Sequence, residues 1–293
     1  MSYTVDNAII MAAGTSSRFA PLSYERSKAL TEVRGEILIE RQIRQLREAG
    51  LENIIIVTGY KSEQLEYLKD RFGVQLIHNP DYLVRNNNGS IHAVRELLGN
   101  SYICSADNYF TENPFEKEVS ECYYAAEYSE GETAEWCMTE DDDGFINSVT
   151  VGGRDSWYML GHAFWSRDFS REFIRILEAI YDQPETVNLL WESIFMQHLD
   201  TLKMHIRKYA PGIIYEFDTL DELRQFDVSY VEDTRSVILK KLADELGFRQ
   251  SQITEVTVLR HGIEAEGFSF LVGGSRYEYD YETGKLQRFS AEI

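Results

Sequence analysis

The chain has 293 residues, 43% hydrophobic and 27% charged, and 49 acidic against 29 basic residues leave a net charge of −20. That balance argues against a nucleic-acid backbone or an anionic membrane surface as partner, and it is compatible with divalent metals and with a cationic substrate. No apolar run approaches the ~20 residues of a membrane span. The first residues lack a basic segment followed by an apolar one, so no secretion signal is expected. Cys104, Cys122 and Cys137 make neither a disulfide framework nor a zinc spacing, and a reducing cytoplasm is the expected setting.

Ala8-Ile9-Ile10-Met11 predicts a short buried strand. It runs into Ala12-Ala13-Gly14-Thr15-Ser16-Ser17-Arg18, a turn of small residues. Backbone N–H groups of such a turn can approach a polyphosphate with no bulky Cβ between. Arg18 can fork onto phosphate oxygens, and Lys28, in Ser27-Lys28-Ala29-Leu30, can sit on them as a point charge. The glycine spacing is that of neither a P-loop nor a dinucleotide fold. Ile39, Ile43 and Leu46 predict a helix over 37–49, closed by Gly50. A second strand is expected over 54–57, ending in Thr58-Gly59-Tyr60. Ser62 is expected to cap a helix that buries Leu65, Leu68 and Phe72, and 74–77 form a third strand. Strands and helices alternating at this spacing predict crossover units in a mostly parallel sheet, with ligands beyond the strands' carboxyl ends. The loops at 12–18, 59–60 and 78–90 would then share one rim.

Asn86-Asn87-Asn88-Gly89-Ser90 follows, with Ser90 expected to cap a helix carrying Ile91, Val94, Leu97 and Leu98. Asn amides offer the paired donor and acceptor that suit a base edge. Tyr102-Ile103-Cys104 predicts a buried strand that ends in Ser105-Ala106-Asp107, where an Asp can ligate Mg²⁺ beside phosphate oxygens. Residues 122–165 turn strand-rich and aromatic around a hairpin turn at Asp141-Asp142-Asp143-Gly144. An amphipathic helix is expected over 169–181. A strand over 213–218 ends in acids, and Thr219-Leu220-Asp221-Glu222 reads as a capping box.

Met11-Ala12-Ala13-Gly14-Thr15-Ser16-Ser17-Arg18, Pro21-Leu22 and Lys28-Ala29-Leu30 together resemble the signature of nucleotidyltransferases that activate small phosphates with an NTP. Ser16 stands where that family commonly has Gly, and Ser27 where it has Pro. Ala106-Asp107-Asn108-Tyr109 and Glu135-Trp136 resemble, more narrowly, the bacterial choline-phosphate cytidylyltransferases. Tyr215-Glu216-Phe217-Asp218 resembles the second magnesium-ligand segment of the family. The resemblance covers about residues 5–230. It implies CTP and phosphocholine as substrates, Mg²⁺ as cofactor, and CDP-choline and pyrophosphate as products. Arg18, Lys28, Asp107 and Asp218 are the implied catalytic residues, with Asp107 and Asp218 on the metal. Ala12, Ala13, Gly14, Thr15, Ser16, Arg18, Lys28, Gly59, Asn87, Ser90 and Ala106 would border the nucleotide. Tyr109, Glu135, Trp136, Phe164, Trp191 and Glu216 would border the acceptor, aromatic faces suiting a quaternary ammonium. Large aromatics are otherwise core, which is the reading kept for Trp157 and Trp165.

The fold expected is α/β: a Rossmann-like, mostly parallel mixed sheet of nucleotide-diphospho-sugar transferase type over 1–232, with a small α+β appendage over 233–293. In the appendage, 236–246 reads as a helix and 254–259, 267–272 and 276–281 as strands. It is faintly like a choline-kinase N-lobe, without the Lys or catalytic lobe of a kinase. A small helix-plus-sheet domain of another kind fits equally. The core reads as complete before residue 233, so the tail reads as removable. A homodimer is compatible with this size. Two alternatives stand: a nucleotidyltransferase for a sugar 1-phosphate or another amino-alcohol phosphate, and a silent nucleotide-binding regulator. Retention of Arg18, Lys28, Asp107 and Asp218 together argues against the regulator.

Overall fold

A computed structural model describes residues 2–261 and 264–289. Its contacts divide the chain into two units, Met1–Gly14 with Leu38–Glu216, and Thr15–Ile37 with Phe217–Ile293. The boundary expected between 232 and 233 falls inside the second unit.

The first unit is organised by a seven-stranded sheet in the order His205–Lys208, Tyr123–Glu140, Ile146–Trp165, Ser101–Ser105, Asn7–Ala12, Ile54–Thr58, Gln75–His78. Ile146–Trp165 runs antiparallel to both its neighbours and the other pairings are parallel, so the mostly parallel mixed sheet is as expected. Ala8, Ile9 and Ile10 are fully buried, as are most residues of Ile54–Thr58, because crossover helices cover such a sheet on both faces. The helix Leu38–Glu48 buries Ile39, Ile43 and Leu46, and Gly50 takes φ +81° behind it. The long hairpin closes as predicted, with Asp141 Oδ1 accepting from the backbone of Asp143 and Phe145. Arg167–Ile180, capped by Ser166, packs Phe169, Phe173 and Leu177 into a core shared with Ile9, Ile103, Trp165 and Trp191.

Two local expectations shift. The segment after Ser62 opens as a 3-10 turn, Ser62–Leu65, before the helix Tyr67–Phe72. The helix expected to begin at Ser90 begins instead at Asn88 and ends at Ala93, followed by the 3-10 turn Arg95–Leu97. Ser90 is therefore inside the helix, buried, and its Oγ accepts from Asn79 Nδ2 at 3.3 Å rather than capping a terminus.

The second unit joins residues 15–37 to the tail. Helix Leu220–Phe226 begins at the predicted capping box: Glu222 N donates to Thr219 Oγ1 at 3.2 Å and Thr219 N to Glu222 Oε2 at 3.1 Å. Helix Val237–Leu246 ends at Gly247 in the left-handed region. A four-stranded antiparallel sheet follows, Thr254–His261, Glu264–Val272, Ser275–Asp280, Leu286–Phe289, each strand paired with the next. Leu239, Leu242, Phe268 and Phe270 form its core.

The tail is not a free appendage. Glu25, far back in the sequence, accepts from Ser236 Oγ and from the backbone of Val237 and Ile238, at 2.8–3.0 Å, and so satisfies the first N–H groups of the helix Val237–Leu246. Tyr24 stacks on Tyr281 with centroids 3.7 Å apart. Tyr230 and Arg235 both donate to the Glu32 carbonyl. Among the described residues no helix is long and apolar enough to cross a membrane.

Candidate active site

In the first unit the candidate residues gather at strand ends. Ala12 pairs with Thr58, and beyond them Tyr60 N donates to the Ala13 carbonyl at 3.0 Å. Gly59 is required there: a Cβ would lie 2.6 Å from Tyr82 Cβ and 2.7 Å from the Ala13 oxygen. A Cβ on Gly14 would meet nothing within 4 Å, which leaves that side of the turn open to a phosphate. Ala106, buried, donates its N–H to the Met11 carbonyl at 3.2 Å and so ties the Asp107 turn to the first strand.

Asp107 is presented between Ser101–Ser105 and Asn108–Phe110. The latter strand pairs antiparallel with Ile214–Glu216, with Asn108 opposite Glu216. Asn108 Nδ2 donates to Glu216 Oε2 at 3.2 Å. Asp107 and Glu216 thereby bring carboxylate oxygens within 4.8 Å of each other. Glu127 secures this arrangement from behind. Its buried carboxylate accepts from the N–H of Gly212, Ile213 and Ile214 at 2.8–3.2 Å, fixing the start of the strand that carries Glu216. The strand expected over 213–218 ends at Glu216, with Phe217 buried beyond it.

A second acidic position lies at Glu192. Asn87 Nδ2 donates to Glu192 Oε2 at 2.9 Å, and Tyr124 OH donates to Oε1 at 3.3 Å. Desolvation pushes the Glu192 carboxyl up to about 7, against the pull of these hydrogen bonds. Burial, then the charges of Glu192 and Glu216, holds the Tyr124 phenol well above its ordinary value. Tyr124 is thus an enclosed hydroxyl that donates to a buried carboxylate.

The Asn run is committed to this same region rather than to a base edge. Asn86 Nδ2 donates to the Asn188 carbonyl, and Asn88 Nδ2 to the carbonyls of Thr186 and Leu189. Asn87 uses both ends of its amide, donating to Glu192 and accepting from Trp191 N at 2.7 Å. The run clamps the segment 186–192.

The aromatic candidates divide. Trp191 is 1% exposed, 5.0 Å from Trp165 and stacked on Tyr124 at 5.6 Å, so it is core and cannot serve as a wall for a ligand. Phe164 is fully buried against Tyr102 and Tyr123, and the same correction applies. Tyr109 is buried beneath the Arg41 guanidinium, 4.6 Å from its ring centroid. Trp136 is half-buried on the hairpin opposite Val151, with Glu135 exposed beside it, so part of its ring reaches the surface. Sequence reasoning missed Tyr124, Glu127 and Glu192. The visible signal was Glu127, a lone acid closing the otherwise uncharged run Tyr123-Tyr124-Ala125-Ala126.

In the second unit, Arg18 Nη1 lies 2.7 Å from Asp218 Oδ2 and Lys28 Nζ 3.3 Å from Asp218 Oδ1. Arg18 is 67% exposed and Lys28 only 5%, its ammonium 5.6 Å from the Phe19 ring centroid. One predicted metal ligand and both predicted phosphate cations therefore form one cluster. Thr15 and Ser16 precede it, and Ser16 adopts φ +48°, the left-handed conformation that explains Gly at this position in the family resembled.

Residues 8–156 match the MobA-like NTP transferase domain. The choline-phosphate cytidylyltransferase of Streptococcus pneumoniae is 33% identical over 75% of this chain and 96% of its own length. The 2-aminoethylphosphonate cytidylyltransferase of Lancefieldella rimae is 36% identical over 78% of this chain and 95% of its own. The solved CTP:phosphocholine cytidylyltransferase of S. pneumoniae superposes with a TM-score of 0.72 at 34% identity, over 75% of this chain and 96% of that one. With the domain matched over about half of its residues, and these relatives matched along nearly their whole length, the chain belongs to the MobA-like NTP transferase family, among the bacterial cytidylyltransferases.

Proposed function

We propose that this chain transfers the cytidylyl group of CTP to phosphocholine, giving CDP-choline and pyrophosphate. The observation that carries the reading is the acidic pair Asp107 and Glu216, fixed on paired strands in a chain whose relatives are cytidylyltransferases. A phosphate oxygen of phosphocholine attacks the α-phosphorus in line as the bond to the bridging oxygen of pyrophosphate breaks. No covalent enzyme intermediate is needed, and catalysis is positioning plus charge stabilisation.

Arg18 and Lys28 are assigned to the triphosphate, where charge builds on the leaving pyrophosphate. Both pair with Asp218 in the structure. On this reading the phosphates take the two cations over from Asp218 and leave its carboxylate for a metal. Asp107 and Asp218, the positions that the resemblance assigns to the metal, would each offer Mg²⁺ a carboxylate oxygen, the hard ligand that ion selects. The ion, when bound, polarises the α-phosphate. Gly14 and its neighbours line the phosphates through backbone N–H groups. Trp136 offers an aromatic face to the trimethylammonium group, and Glu192, Glu216 and Glu135 supply negative charge. The free thiols of Cys104, Cys122 and Cys137 support a reducing cytoplasmic setting.

The second reading is 2-aminoethylphosphonate as acceptor. It is favoured by the L. rimae relative and by the burial of Trp191, which leaves fewer aromatic faces and more carboxylates, the partners of a primary ammonium. The test is kcat/KM for phosphocholine, 2-aminoethylphosphonate, phosphoethanolamine and glucose 1-phosphate with CTP. Phosphocholine should lead, and Trp136→Ala should raise its KM by roughly two- to thirtyfold while KM for CTP holds. Preference for the phosphonate promotes the second reading, and preference for the sugar phosphate rejects both.

A further inference from the structure

The two cytidylyltransferase relatives account for 75% and 78% of this chain while using nearly all of themselves. The family motifs end near residue 230, so the last sixty or so residues are outside what the resemblance explains. Within the second unit these residues brace the segment that carries Arg18 and Lys28. Glu25 is held by the start of the helix Val237–Leu246, Tyr24 stacks on Tyr281, and Glu32 is gripped by Arg235. Arg260, on the strand Thr254–His261, donates from Nη2 to the hydroxyl of Ser17. Ser17 is buried, opens the 3-10 turn Ser17–Phe19, and directly precedes the exposed Arg18.

We propose that Arg260 is a positioning residue for the CTP phosphates: by holding Ser17 it fixes the turn that presents Arg18, and through it the C-terminal module sets the affinity for CTP. This rests on the nucleotidyl-transfer reading above. The physical reason is preorganisation. Arg18 is a long side chain on a short turn that follows a left-handed Ser16, and a turn with alternatives open to it must be ordered by the nucleotide at the expense of affinity. An exposed hydrogen bond alone contributes little. Here its acceptor is buried and adjacent to the phosphate cation, and further ties from 235, 236–238 and 281 converge on the same segment.

The test uses the full chain and CTP-dependent pyrophosphate release with the acceptor it uses best. Arg260→Ala should raise KM for CTP roughly three- to tenfold, the size of one ordinary hydrogen bond's net contribution. KM for the acceptor should stay within about twofold and the melting temperature should not move, since Arg260 is exposed. Arg260→Lys, which keeps a donor, should recover part of the affinity. Ser17→Ala should raise KM for CTP similarly, and the double variant should add little beyond either single one. Should Arg260→Ala fold poorly, Ser17→Ala, Arg260→Lys and Arg260→Gln carry the same comparison. An unchanged KM for CTP in Arg260→Ala, an equal rise for both substrates, or additive effects in the double variant overturns the proposal while leaving the function standing. A wild-type chain without CTP turnover brings down the function and this proposal together.

Discussion

The two units hold their functional groups by different means. In the first, Asp107 and Glu216 sit at the ends of hydrogen-bonded strands, and buried side chains back them. Glu127 accepts three backbone N–H groups, and Asn87 clamps Glu192. In the second, Arg18 and Lys28 ride on short turns, held by ion pairs to Asp218 and by side chains that arrive from far along the chain. Backbone ladders and buried acceptors are satisfied in one geometry only, whereas side-chain props can be altered one at a time. The acidic pair of the first unit is therefore rigid by construction, and the cations of the second unit depend on the tail.

Ending the chain after Asp233 should break this comparison most severely. Buried Arg224 donates to the carbonyls of Gln250 and Ile253, and Glu25 caps the helix that would be lost. Arg224 would keep Asp221 and the Tyr230 carbonyl but lose these two acceptors, each charged hydrogen bond contributing about 1.5–3 kcal/mol. Such a truncation is expected to be insoluble or to lose CTP use, as solubility and CTP titration would show. A truncated chain with normal turnover would restore the tail as removable.

Next in size is Asp107→Asn, which removes charge from a metal held by few carboxylates while leaving the turn's backbone bonds in place. The kcat should fall by at least about a hundredfold with the melting temperature unchanged. Near-normal turnover at saturating Mg²⁺ would sink the metal assignment.

Glu192→Gln sharpens the comparison through pH. The folded carboxyl titrates at about 7 and the ordinary value is 4.5, so between these the folded chain holds more protons than the unfolded one. Wild-type stability should accordingly fall as pH rises from 4.5 to 7, and the variant should lose that part of the slope. Parallel melting curves of the two chains across this window would contradict the burial argument. KM for a cationic acceptor should also fall more steeply with rising pH in the wild type than in the variant.

The smallest effect is expected at Ser16→Gly. A left-handed L-residue costs about 1–2 kcal/mol, and glycine returns about 0.4–1 kcal/mol of that through the entropy of the unfolded chain. A gain of a few tenths to about 1 kcal/mol in thermal unfolding is expected. A loss would mean that the Ser16 side chain holds the turn in a way its backbone does not reveal.

Sequence alone determined the sheet, its parallel sense, the capping box at Thr219 and the strand-end placement of Asp107. These follow from local pattern: apolar runs, small residues after them, and caps at fixed offsets. Motif resemblance singled out Arg18, Lys28 and Asp218, and only the structure showed the two cations paired with that acid. What sequence could not decide were contacts between residues far apart in the chain. Trp136 and Trp191 look alike in sequence, and only packing placed Trp191 against Trp165 and left Trp136 half-buried. Asn87 carries the same amide whether it meets a base or a helix, and only the fold brought Trp191 N and Glu192 to it. The tail read as separate because the core's pattern looks complete before residue 233. Tertiary structure joined it to residues 15–37, since Glu25 and Ser17 find their partners more than two hundred residues away, at a separation over which no periodicity or spacing carries information.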